Sequence, residues 1–145
     1  MQHFITILLI TLSATFLAQE YNLEKGFVAE GYDVVAYFSN KVEKGDTKFI
    51  TSYDRVKFKF STKENLETFK ESPNKYIPAY GGHCAYAIGA KGKRASIDPE
   101  TFEIKDGKLY LFYNSWGTTT LELWEEEGAE KLKEMADKNW EIMNK

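Results

Sequence analysis

Two stretches of the chain alternate apolar and polar residues as half-buried strands do, and each faces a partner across a two-residue turn. In Val56-Lys57-Phe58-Lys59-Phe60 every second residue is apolar, the period of a strand with one wet face. Lys48-Phe49-Ile50-Thr51-Ser52-Tyr53 precedes it across Asp54-Arg55, which predicts a hairpin. The second pair is sharper. Thr101-Phe102-Glu103-Ile104-Lys105 and Lys108-Leu109-Tyr110-Leu111-Phe112-Tyr113 flank Asp106-Gly107, a dipeptide favoured by type I′ turns. Phe102, Ile104, Leu109, Leu111 and Tyr113 can then share one face.

The period changes to that of helices elsewhere. Ser61 and Glu64 have the S-x-x-E spacing of a capping box, so Ser61 opens a helix with Leu66 and Phe69 on its apolar stripe, and Pro73 ends it. Tyr76, Pro78, Tyr80 and Gly81-Gly82 read as a loop feeding Cys84-Ala85-Tyr86-Ala87-Ile88, a short helix or turn. Leu132, Met135, Ala136, Asn139, Trp140 and Met143 recur at helical spacing near the end of the chain. Trp116, Leu121 and Trp124 predict a shorter helix before them. The expected architecture is α+β: a small single domain with two antiparallel β-hairpins packed with short helices and a C-terminal helix.

The first residues follow neither pattern. Phe4 to Ala18 is an apolar run broken only by Thr6, Thr11, Ser13 and Thr15. A membrane span needs about 20 apolar residues, and a run this short and hydroxylated suits the core of a signal peptide better than an uncleaved anchor. Residues 1–19 are therefore read as a signal peptide, 20–25 as a polar linker and 26–145 as the folded domain. The expected product is exported, periplasmic or extracellular, begins near Gln19 or Glu20, and has no membrane span once the signal is removed.

Charge excludes one class of partner. The 19 Lys and Arg and 22 Asp and Glu are interspersed, with a formal net charge of −3. Nucleic-acid binding, which needs a basic face, is not expected. Glu125-Glu126-Glu127 reads as a solvated helix face, and the aromatic residues read as core.

Chemistry is sparse. Cys84 is the only cysteine, so the domain has no internal disulfide, and beyond His3 the only histidine is its neighbour, His83. Thiolate and imidazole suit copper or zinc, but neighbours in sequence point apart on regular backbone, and a closed zinc site needs four ligands. A buried Cys with a satisfied His is the alternative. No H-E-x-x-H, C-x-x-C, P-loop or G-x-G-x-x-G is present. Carboxylates are plentiful, and nothing selects two of them as an acid pair.

Several segments together carry a resemblance. Tyr32-Asp33-Val34-Val35-Ala36-Tyr37-Phe38, then Phe58-Lys59-Phe60-Ser61 leading into a helix with Phe69 and Pro73, then Tyr76-Ile77-Pro78-Ala79-Tyr80-Gly81-Gly82-His83-Cys84-Ala85 resemble the exported branch of the YHS domain family. Asp106-Gly107-Lys108-Leu109-Tyr110-Leu111 and Ala136-Asp137-Lys138-Asn139-Trp140 extend the likeness over most of residues 26–143. The resemblance implies a small α+β module associated with handling of copper and other heavy metals, and no enzymatic activity. Metal-associated members carry cysteines early in the domain and at a strand-to-helix junction. This chain has Val34-Val35-Ala36 and Phe60-Ser61-Thr62-Lys63 there, and Thr51-Ser52-Tyr53-Asp54 in place of Tyr-His-Ser.

The expectation from sequence is thus an exported YHS-like binding module for a metal ion, copper foremost, or for another small ligand. Cys84 and His83 are the expected ligands, with Asp33 a third or an orienter of the others. The competing reading is a metal-free structural or protein-interaction module with Cys84 in its core. An enzyme using carboxylate chemistry is a weaker third.

Overall fold

The computed structural model describes residues 20–145; the signal-peptide reading of residues 1–19 lies outside them. The architecture is α+β, as the hydrophobic pattern predicts. A four-stranded sheet has the order β1 (Leu23–Glu24), β2 (Phe27–Val28), β4 (Val56–Phe60), β3 (Asp46–Tyr53). β3 and β4 form the first hairpin, with Tyr53 opposite Val56. Its turn places two non-glycine residues, Asp54 and Arg55, at φ of 51° and 66°. Phe58 and Phe60 are fully buried, and α1 (Lys63–Glu71) lays Phe69 on them with ring centroids 4.6 and 5.1 Å away. On β4's other face, the Lys57 and Lys59 ammonium groups stand over the Phe27 ring.

The helix begins one residue later than the capping box predicts. Thr62 is the N-cap, its hydroxyl accepting from the Asn65 N–H at 3.1 Å. Ser61 is engaged elsewhere, through both its N–H and its hydroxyl, by Asp33. Pro73 opens a one-turn helix, α2 (Pro73–Tyr76), as its fixed φ allows at a first helical position.

The second hairpin pairs β5 (Asp98–Lys105) with β6 (Lys108–Phe112), Phe102 opposite Leu111 and Ile104 opposite Leu109. Asp106 and Gly107 have φ of 49° and 73°, the positive pair that a type I′ turn requires. A Cβ at Gly107 would meet nothing within 4 Å, so Gly107→Ala should cost about 1 kcal/mol through backbone strain alone. Thermal denaturation checks this; an unchanged melting temperature would mean the turn does not need glycine.

The expected one-sided burial of this hairpin is corrected. Leu109, Tyr110, Leu111 and Phe112 are all buried, so β6 is covered on both faces, while Tyr113 and Ile104 are partly exposed. Trp124, on α3 (Thr120–Glu127), covers the second face with its ring 5.9 Å from Tyr110 and 5.5 Å from Phe112. Trp116 does not belong to that helix. It lies between β7 (Asn114–Ser115) and β8 (Thr118–Thr119), a separate small hairpin, and is fully exposed.

The C-terminal helix is α4 (Ala129–Met143), with Leu132 and Ala136 buried. It lies against the wide helical turn Ala87–Lys91, where the Asn139 amide donates to the Ile88 carbonyl at 2.8 Å. Residues 20–25, expected as a linker, are bound to the domain: β1 pairs with β2, and Asn22 donates to the Gly81 and Gly82 carbonyls. Among the described residues no helix is long and apolar enough to cross a membrane.

Candidate functional site

Asp33 is fully buried, and each oxygen of its carboxylate is occupied by the protein itself. Oδ1 accepts from the Val35 and Ala36 N–H groups at 2.9 and 3.1 Å. Oδ2 accepts from the Ser61 N–H at 2.9 Å, the Ser61 hydroxyl at 2.6 Å and the Asn65 amide at 2.8 Å. A buried carboxylate holding five donors ties the loop before β3 to the junction of β4 and α1.

Cys84 is also fully buried. Its sulfur accepts from the Tyr113 N–H at 3.3 Å and lies 3.3 Å from the Thr120 hydroxyl. His83 faces other partners. Its Nε2 is 3.2 Å from the Glu20 carbonyl, an oxygen that can only accept, so the ring carries a proton on that nitrogen. Trp140 packs on the imidazole at 5.9 Å between centroids. Burial lowers the His83 pKa from its ordinary value, and the Arg94 guanidinium pushes the same way.

The side chains of the three residues expected as ligands therefore have different hydrogen-bond partners. Asp33 belongs to the β4–α1 junction, Cys84 to the contact with Tyr113 and Thr120, and His83 to the Glu20–Trp140 contact. Among the described residues no three His, Cys, Asp or Glu side chains group so as to hold a metal ion. A copper site drawing jointly on Cys84, His83 and Asp33 does not fit this arrangement.

A sizeable cavity lies elsewhere. A cleft of about 880 Å³ is walled by Tyr21, Tyr53, Tyr80, Tyr110 and Trp140, within the size range of small-molecule sites. It draws on Tyr21, the first hairpin, the Asn74–Tyr80 stretch, the start of β6 and α4. Tyr80 sits at φ 57°, a left-handed conformation costing a non-glycine residue about 1 kcal/mol or more. It is held there by its hydroxyl, which donates to Asp137 at 2.8 Å, and by the Tyr110 and Trp140 rings at 6.0 and 6.2 Å. On the opposite wall the Tyr21 hydroxyl donates to Asp54 at 2.8 Å, and the Tyr53 hydroxyl donates to Asn74. Burial raises the pKa of Tyr21, Tyr80 and Tyr110, so these phenols remain donors at neutral pH.

Sequence reasoning assigned these tyrosines to the core, because no spacing marks residues that converge from five separate segments. It also left the carboxylates undistinguished. The structure pairs Glu30 with Glu24 beside a smaller cavity that includes Lys44 and Lys59. Partial burial of the Glu30 carboxyl, then its hydrogen bond to Glu24, pushes its pKa up to about 7. Comparison with family models, with curated proteins and with solved structures found no match to the chain.

Proposed function

We propose that this chain is an exported YHS-like binding module that takes a small ligand in the aromatic cleft and uses Cys84 as part of its core. The observation that carries the reading is the cleft itself: five aromatic side chains from distant segments, around a tyrosine kept in a strained conformation. Strain of this kind persists where the surroundings over-determine it, and it concentrates at binding sites. Export rests on the run Phe4–Ala18, and the family assignment on the resemblance of residues 26–143.

Two measurements test this. Amide and indole NMR shifts of the purified chain, recorded against a mixture of small aromatic and polar compounds, should move at Tyr53, Asn74, Tyr80, Tyr110 and Trp140. Trp140→Ala should weaken the best compound about tenfold, the loss expected for one buried aromatic contact. In parallel, a competing Cu(I) chelator should strip all copper from the chain. Stoichiometric copper retained by the native chain and lost in Cys84→Ser would overturn the reading in favour of a metal site.

A further inference from the structure

The polar groups of the cleft fall into two sets, those already engaged and those left open. Each acceptor already receives at least one hydrogen bond. Asp54 holds the Tyr21 hydroxyl on one oxygen at 2.8 Å, Asn74 holds the Tyr53 hydroxyl at 3.3 Å, and Asp137 holds the Tyr80 hydroxyl on one oxygen and the Lys133 ammonium on the other, both at 2.8 Å. The donors are left open. Tyr110 is only 2% exposed, yet its hydroxyl makes no hydrogen bond among the described residues and is not sealed from solvent. It belongs to the cleft wall. Lys108, two residues earlier on the same strand, also lines the cleft and forms no ion pair among the described residues. Lys133 spends one of its three N–H bonds on Asp137 and has two to offer.

The Tyr110 hydroxyl reaches solvent at the cleft, so a ligand acceptor there would take the place of water. Each carboxylate already receives a hydrogen bond, and two ammonium groups line the same cleft, so an anionic guest has two cationic donors to meet. Extending the cleft reading, on which this rests, we propose that the cleft binds an aromatic oxyanion: a planar ring bearing a carboxylate or phosphate. The ring lies among Trp140, Tyr80 and Tyr53, and the oxyanion meets the Lys108 and Lys133 ammonium groups and the Tyr110 hydroxyl. The Tyr80–Trp140 and Tyr80–Tyr110 planes are inclined at 69° and 52°, so a flat guest meets ring edges as well as faces.

Three probes on one ring system separate the contributions: 2-naphthoate, 2-naphthyl phosphate and the neutral 2-naphthamide, titrated into the full chain and followed by cleft amide shifts and the Trp140 indole signal. The two oxyanions should bind at least about tenfold more tightly than the amide, as charge-assisted hydrogen bonds require. Lys108→Gln should remove about five- to tenfold of naphthoate affinity and leave amide affinity unchanged. Tyr110→Phe, which keeps the ring, should act in the same direction, and thermal melts of both variants confirm that they are folded. Equal binding of naphthoate and naphthamide at the cleft would overturn the oxyanion assignment while leaving the cleft as the site. So would tighter binding of benzyltrimethylammonium. No cleft shift with any probe would overturn both.

Discussion

Asp33→Ala is expected to lose about 4 kcal/mol of stability, a large part of the 5–15 kcal/mol typical of a domain. The carboxylate receives two N–H groups from its own loop, and an N–H, a hydroxyl and an amide from the β4–α1 junction. Deleting it strands the Val35 and Ala36 N–H groups where water does not reach, each at about 1–3 kcal/mol. It also releases Ser61 and Asn65, which lie nearer the surface and can be partly rehydrated. Asp33→Asn should be milder, about 2 kcal/mol, because one oxygen survives while the other becomes a donor facing donors. Denaturant titration of metal-free protein gives both numbers. A residue whose task was to hold a metal would leave the metal-free protein's stability nearly unchanged on removal, so a loss below about 1 kcal/mol would return Asp33 to the list of ligands.

Trp124→Ala should be of similar size, about 3–5 kcal/mol, the usual cost of deleting a buried Trp. The indole is fully buried, lies against Tyr110 and Phe112, and donates its N–H to Glu103 at 3.1 Å. Trp124→Phe, which keeps an aromatic ring but abandons Glu103, should cost about 1–2 kcal/mol. The same change reaches the cleft from behind. Tyr110 is clasped between Trp124 and Tyr80, so the Tyr110 ring should become mobile in Trp124→Ala. Guest affinity should then fall although no cleft-lining residue is altered. Chemical denaturation and a naphthoate titration on the folded fraction read the two effects separately; unchanged affinity would show that Tyr110 is held by other contacts.

What could be read from the sequence was whatever is local. Both hairpins were legible because a turn dipeptide and the alternation beside it are decided within a dozen residues. Asp33 stood out as an acid inside an apolar run, and it is buried. The failures share a cause: a partner distant in sequence. Ser61 looked like a helix cap, but Asp33, 28 positions earlier, takes both of its donors, and the cap passes to Thr62. β6 looked one-sided because Trp124, which covers its other face, comes later in the chain. His83 and Cys84 were paired by adjacency, and the backbone sends them to different neighbours. The cleft was invisible for the same reason, since its walls meet only after the sheet, the α4 contact and the Ala79–Gly82 turn have formed.

The burial of Cys84 gives the molecule a built-in clock. A thiol reagent cannot reach a sulfur with no exposed surface until the contact among Tyr113, Thr120 and Ala95 opens. With one thiol in the chain, the labelling rate at high reagent concentration counts openings of that region and nothing else. The same isolation governs oxidation: two copies can be joined through Cys84 only while both of them are open. Where an oxidant is present to take up the two electrons, disulfide-linked dimers would therefore form no faster than the domain's own openings allow.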